Sequence, residues 1–384
     1  AFLHWAETTP NKIYLTQPCN GEVSTLTWTQ CADQVRRMAT YLDSLGLPKG
    51  SSIGLLGRNS AHWILADLAI WLAGHVTVPL YPTLNGETAE YILEHASVRL
   101  LIIGKMDGKA DGWHEIAPIL PADLPLIGLP MCPRNDIIKW DDIIARVEPR
   151  MDLALPEPES LATIVYTSGS TGQPKGVMHN FAAIMSVASG LQENFNASNE
   201  DRMLSYLPLA HVAERAAVET LSLYFGFSVF FSEGLETFQK DLQRAQPTIF
   251  FSVPRLWTKF YLGVNEKLPL EKQQRLFRIP ILSGIVKRKI LKQLGLDKCR
   301  MAVTASAPLP PNIIQWYRNL GLELLDVYGM TENFGYSHSS RPGQVRVGYV
   351  GHCNHGVECR IADNGEVLVK SPGQMLGYYN NPEK

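Results

Sequence analysis

Cysteine is scarce in this sequence: six residues in 384, at positions 19, 31, 132, 299, 353 and 359, with no Cys-x-x-Cys pair. Cysteines so thinly scattered in so long a chain do not form a disulfide framework and point to free thiols in a reducing compartment. Cys353, His355 and Cys359 lie close together, but no fourth ligand accompanies them and the spacing does not read as a zinc site. An excess of one charge is also missing. Lys and Arg total 35 against 37 Asp and Glu, a formal net charge of −2, which carries no global nucleic-acid signature. The most apolar stretches, such as Leu221 to Phe231, fall well short of the ~20 residues that span a bilayer. Ala1-Phe2-Leu3-His4 has neither a basic start nor an apolar run, so a signal peptide is not expected; position 1 is not Met, so the natural start is expected upstream. No repeat or low-complexity tract occurs, and the expected location is cytoplasmic.

What is present is an ordinary globular composition, 45% hydrophobic and 19% charged. A chain of this length buries roughly three quarters of its unfolded surface and usually divides into two or three subdomains. Trp28, Cys31, Val35, Met38, Ala39 and Leu42 recur at helical spacing. Ser52 to Leu56 reads as a short buried strand, and Ser60 as the N-cap of a helix reaching about Ala73. A strand over Val76 to Leu80, a helix from Gly86 to Ala96 and a strand from Leu100 to Ile103 follow. This alternation predicts an α/β fold with a mostly parallel, helix-covered sheet. Residues 118–160 are rich in proline and read as a surface connection. A second alternation runs from Ala162 to Leu325, with strands near Ile164, Ser228, Ile249, Met301 and Leu324. After Val345 turns and short strands dominate, with a hairpin turn at Asn364-Gly365. The expected division is 1–160, 161–340 and a β-rich part from 341 on.

Residues Leu161 to Val177 read LATIVYTSGSTGQPKGV: an apolar strand, a loop of Thr167, Ser168, Gly169, Ser170, Thr171 and Gly172, and a lysine, Lys175. Glycines let several backbone N–H groups converge on one anion, and hydroxyls add donors. Lys175 adds a mobile positive charge. The loop suits the β- and γ-phosphates of ATP. It is not a Walker A loop, because Pro174 precedes the lysine and a strand, not a helix, follows. Further on, Asp326 to Glu332 reads DVYGMTE. Tyr328 can stack on a flat base, Thr331 can bond a phosphate oxygen, and Glu332 is a hard oxygen ligand suited to Mg²⁺. Taken alone, the segment reads more readily as an ordinary turn with an N-capping threonine.

YTSGSTGQPKGV resembles the phosphate-loop signature of the adenylate-forming superfamily, which includes acyl-CoA synthetases, amino-acid adenylation domains and beetle luciferases. DVYGMTE is similar to that family's Tyr-Gly-x-Thr-Glu motif. VTASAPL, Val303 to Leu309, is similar to its small-residue strand end, with Ser306 and Ala307 along the adenine. The resemblance implies the large N-terminal domain of such enzymes: two helix-flanked, mostly parallel sheets plus a small distorted β-barrel. It implies ATP and Mg²⁺ as cofactors and coenzyme A as co-substrate. Asp326, Tyr328, Gly329, Met330 and Thr331 would then hold the nucleotide, Thr167 and Glu332 the metal, and Thr331, Glu332 and Lys175 would act on the reacting phosphate. In LPLAHVAER, Leu207 to Arg215, the resemblance makes His211 a gate between acyl pocket and thiol channel; a packed histidine is the plainer alternative. GEVLVKSPGQMLGYY, Gly365 to Tyr379, resembles the family's Gly-Glu strand and Gly-Tyr turn. The family next carries a ribose-binding Asp, a hinge and a lid with a catalytic lysine; none occurs before Lys384, which reads as a truncated chain.

Asp241 to Phe260, DLQRAQPTIFFSVPRLWTKF, resembles the long-chain branch, so the expected acid is a long-chain fatty acid. A ligase for an aryl or medium-chain acid, and a nucleotide-binding pseudoenzyme, stay open. Residues 265–300 hold ten basic against three acidic residues, a local charge of +7 that leaves −9 for the rest. With Ile281, Leu282, Ile285, Ile290, Leu291 and Leu294, this segment reads either as a surface helix pair or as an amphipathic contact with an anionic membrane.

Overall fold

The computed structural model describes residues 1–384 except 108–110, 153, 168–171 and 384. Its largest sheet has eight strands. In spatial order they are Gly377–Tyr378, Lys175–Asn180, Leu161–Thr167, Val76–Leu80, Ser52–Leu56, Leu100–Ile103, Leu126–Gly128 and Ile138–Lys139. The last six run parallel to one another. The first two are antiparallel additions beside Leu161–Thr167. Every residue of Ser52–Leu56 and of Val76–Leu80 is buried, as expected of parallel strands with helices on both faces. The Ala61–Leu72 helix covers this sheet and is buried nearly all round; the Ser60 hydroxyl caps it by accepting from the Trp63 N–H at 3.2 Å. Trp28–Ser44 buries the face that its apolar spacing predicts, and Thr27 and Gln30 close a capping box at its start.

The stretch read as a surface connection is in part structural. It contributes Leu126–Gly128, Ile138–Lys139 and the Trp140–Arg146 helix to the large sheet and its cover. Strands of two and three residues are too short to show a period.

The second group of strands is Glu22–Thr27, Ile13–Cys19, Ser228–Phe231 and Arg202–Ser205, then Ile249–Ser252, Met301–Thr304, Leu324–Tyr328, His338–Ser339 and His352–Cys353. The Thr248 N–H donates to the Arg202 carbonyl at 3.0 Å and links the two runs. The sheets do not divide at residue 160, because 161–180 completes the first and 13–27 belongs to the second. Beyond 341 the Glu358–Ile361 and Val367–Lys370 strands pair around Asn364-Gly365, with Gly365 at φ +85°.

The basic segment folds as Leu270–Phe277 and Pro280–Leu294, following Pro254–Lys267. Ile290 and Leu294, read above as surface contacts, are instead in a hydrophobic core with Trp257 and Trp316. No helix among the described residues is long and apolar enough to cross a membrane.

Candidate active site

The phosphate-type loop joins the neighbouring antiparallel strands Leu161–Thr167 and Lys175–Asn180. Thr167 and Lys175 face each other as the last rung of that ladder. Ser168, Gly169, Ser170 and Thr171 lie outside the described residues. Gly172 has φ +108°, a conformation that side chains resist.

Two hollows meet at Thr167, and Lys175 lines neither of them. One is an apolar cavity of about 460 Å³ walled by Leu191, Phe195, Met203, Phe227, Ile249 and Phe251, a size suited to a small-molecule site. The other is an outer cleft of about 690 Å³ bounded by Tyr81, Thr88, Tyr166, Gly172, Gln173 and Pro174. Thr167, His211 and Thr331 line both. The structure thus brings together the loop's edge, the histidine and the Tyr-Gly-x-Thr-Glu segment, 164 residues apart in sequence from first to last.

The wall beside His211 is built on buried ionisable side chains. His211 caps the following turn, its Nδ1 accepting from the Ala213 N–H at 3.0 Å. Part of its ring is open to solvent and part is screened by neighbours, which lowers its pKa and keeps the imidazole neutral. Next comes a π-helical turn, Arg215–Thr220, a rare form that concentrates at functional sites. Arg215 lies between the Trp63 and Trp71 rings, 5.6 and 5.5 Å from their centroids. It donates to Glu219 at 3.2 Å, to the Thr163 hydroxyl at 2.6 Å and to Asp67. Burial pushes Glu219 well above the usual carboxylate range. Glu214 is also buried; it accepts from Ser205 at 2.9 Å and from the Tyr206 N–H at 3.0 Å, and burial pushes it up to about 8. With these ionisable side chains anchored in the core, the small residues Ala213, Ala216 and Ala217 face the apolar cavity.

Thr331–Asn333 forms a single 3₁₀ turn. It is held from two sides. His179, which burial lowers to about 4, is neutral and donates Nε2–H to the Thr331 carbonyl at 2.7 Å. The Met375 N–H donates to the Glu332 carbonyl at 2.7 Å, and the Tyr378 hydroxyl donates to Glu332 Oε1 at 2.8 Å. The Lys175 ammonium lies 5.3 Å from the Tyr378 ring centroid. Burial, and then the Glu332 carboxylate, push the Tyr378 hydroxyl up to about 12. Tyr378 therefore connects the acidic and basic candidates. Sequence reasoning noted its Gly-Tyr turn but gave it no role; its one signal was an aromatic in a strand that could add to the Lys175 strand. Gly329 packs so closely that a Cβ there would stand 2.3 Å from the Gly335 backbone.

The remaining candidates are placed less uniformly. Ser306 lines the apolar cavity with φ +75°, a conformation rarely held without a surrounding constraint. Ala307 is exposed and, among the described residues, is not part of that lining. Gly329, Met330 and Thr331 line the cavity, whereas the half-buried Tyr328 ring packs against His338 with centroids 5.8 Å apart. The Asp326 carbonyl accepts from the Ser340 N–H at 2.8 Å, and burial raises its carboxyl to about 6.

Thr167 at the edge of the loop, the Thr-Glu turn and the apolar cavity meet at one waist. The chain belongs to the AMP-binding enzyme family, whose pattern matches residues 2–379. It is 30% identical to fatty acyl-CoA synthetase A of Dictyostelium discoideum, covering 95% of this chain and 61% of that protein. It is 27% identical to the peroxisomal long chain acyl-CoA synthetase 6 of Arabidopsis thaliana, covering 94% of this chain and 57% of that protein. The chain therefore spans about three fifths of the length of these curated relatives. Among solved structures, the anthranilate CoA ligase AuaEII in complex with anthranoyl-AMP superposes with a TM-score of 0.81 at 23% identity, over 99% of this chain and 71% of that one. The N-terminal domain of FACL13 from Mycobacterium tuberculosis gives 0.75 at 21% identity, over 100% and 91%. These likenesses show the fold.

Proposed function

We propose that the protein activates a long, unbranched fatty acid with ATP and transfers the acyl group to coenzyme A. The observation that carries this reading is the waist at Thr167, His211 and Thr331. An acid whose tail fills the apolar cavity would present its carboxylate there, at the edge of the phosphate loop.

A carboxylate oxygen attacks the α-phosphorus of ATP, forming the acyl-adenylate, and the bond to pyrophosphate breaks. The coenzyme A sulfur then attacks the acyl carbon, and AMP leaves with the former carboxylate oxygen. The chain's contribution is to position the reactants and to stabilise charge. Lys175, at the foot of the loop, would supply positive charge to the phosphates, and neutral His211 stands where the acyl group would pass. Glu332 and Thr167 offer hard oxygens on one cavity wall, and Glu332 makes no ion pair among the described residues, so the pair fits Mg²⁺. Mg²⁺, when bound, offsets the charge of the phosphates.

The long-chain preference rests on the aliphatic and phenylalanine lining of the cavity and on the names of the curated relatives. Glu332→Gln keeps the shape of the turn and removes its charge. In the full-length protein its adenylation rate, read as pyrophosphate exchange, should fall about a hundredfold. A wild-type rate would remove the assignment.

A further inference from the structure

We infer that the outward face of the Pro280–Leu294 helix docks the protein on an anionic lipid surface. The helix sorts its residues sharply. Ile290 and Leu294 enter the core, while Ile281 and Ile285 are 83% and 60% exposed and Ile279, just before the helix, is 51% exposed. The exposed positions 281, 284, 285, 288, 289 and 292 repeat at three- and four-residue spacing and so share one stripe. Its first half is apolar, with Ile281 and Ile285; its second half is basic, with Arg288, Lys289 and Lys292, all exposed.

This order fits a membrane interface in particular. Isoleucines can enter the acyl boundary while the cations one to two turns behind them meet headgroup phosphates. A polyanion such as nucleic acid would satisfy the cations but leave three isoleucines in water. Of the ten basic residues in 265–300, only Arg300 forms an ion pair among the described residues, with Asp201 at 2.6 Å. Of the other nine, Lys287 is half-buried with its ammonium 5.1 Å from the Phe277 ring centroid, and eight are exposed and available to headgroups, against the exposed Glu266 and Glu271 and the half-buried Asp297. The −9 carried by the rest of the chain is repelled by the same anionic surface, so the charge distribution selects one orientation. The docking rests on this surface and not on the proposed activity.

The test is co-sedimentation of the full-length protein with vesicles of phosphatidylcholine alone and of phosphatidylcholine mixed with phosphatidylserine. The wild type should pellet with the mixed vesicles at low salt and be released as salt rises. Replacing Arg288, Lys289 and Lys292 together by Gln should weaken that binding roughly a hundredfold. Ile281→Ser with Ile285→Ser should weaken it at every salt concentration. These side chains are exposed, so unchanged thermal unfolding would show that the variants remain folded. Equal sedimentation with both vesicle types overturns the inference, as does undiminished binding by folded variants. Loss of binding to another protein, with no vesicle binding by the wild type, would assign the face to a protein partner and also overturn it.

Discussion

Tyr378→Phe deletes one hydroxyl and keeps the ring. The hydroxyl donates to Glu332 Oε1 at 2.8 Å, whereas the ring carries the Lys175 contact at 5.3 Å. A hydrogen bond to a charged acceptor is worth about 1.5–3 kcal/mol net. Tyr378 is only half-buried, so water replaces part of the lost bond, leaving about 1 kcal/mol, or roughly a fivefold effect. The expected result is a fall of about fivefold in kcat/KM for pyrophosphate exchange, with little change in thermal stability. Tyr378→Ala also removes the cation–π contact, about 0.5–1 kcal/mol more, so its loss should reach roughly ten- to thirtyfold. Since the hydroxyl titrates at about 12, the Phe effect should be constant across neutral pH. If the Phe variant matched wild type while Ala were impaired, the ring alone would be the positioning element. If both matched wild type, the tether of Glu332 would play no part in the reaction.

Ala216→Phe should fill the apolar cavity and move the preferred acid to shorter chains, with kcat/KM for the longest acids falling about tenfold or more; a chain-length series checks it. Glu214→Gln bears on pH. The folded-state pKa of about 8 lies above the ordinary 4.5, so the stability linked to the protonated carboxyl is full below pH 4.5 and is lost as pH rises through 8. The stability of the Gln variant relative to wild type should therefore increase with pH, by as much as a few kcal/mol, in denaturant titrations on the two sides of that window. Gly329→Ala should lower the midpoint of thermal unfolding, because its Cβ would overlap the Gly335 backbone; overpacking of this kind costs about 1–3 kcal/mol.

Strong periodic or fully buried segments were legible in the sequence. Ser52–Leu56, Val76–Leu80 and the Ser60-capped helix fall where their apolar runs and cap predict. The short strands at 126–128 and 138–139 were not legible, since pairing with a neighbour, not local pattern, makes them strands. The chain contacts of the site were partly legible. Thr167, His211 and Thr331, each singled out in the sequence, line both hollows, but the tie from Tyr378 to Glu332 spans 46 positions and depends on an added edge strand. The buried Asp67–Arg215–Glu219 cluster was likewise hidden, because charged residues read as surface until a fold encloses them. The basic segment shows the converse. Its charge was plain in the sequence, yet only packing separates Ile281 and Ile285 from Ile290 and Leu294.

The central claim is that the apolar cavity holds the tail of a fatty acid while Thr167, His211 and Thr331 present its carboxylate to ATP. Pyrophosphate exchange by the full-length protein, measured with saturated straight-chain acids of increasing length and with benzoate and acetate, tests it most directly. The account predicts exchange that rises with chain length into the long-chain range and is weak with benzoate and acetate. Fastest exchange with benzoate or acetate, or none with any acid, would contradict it.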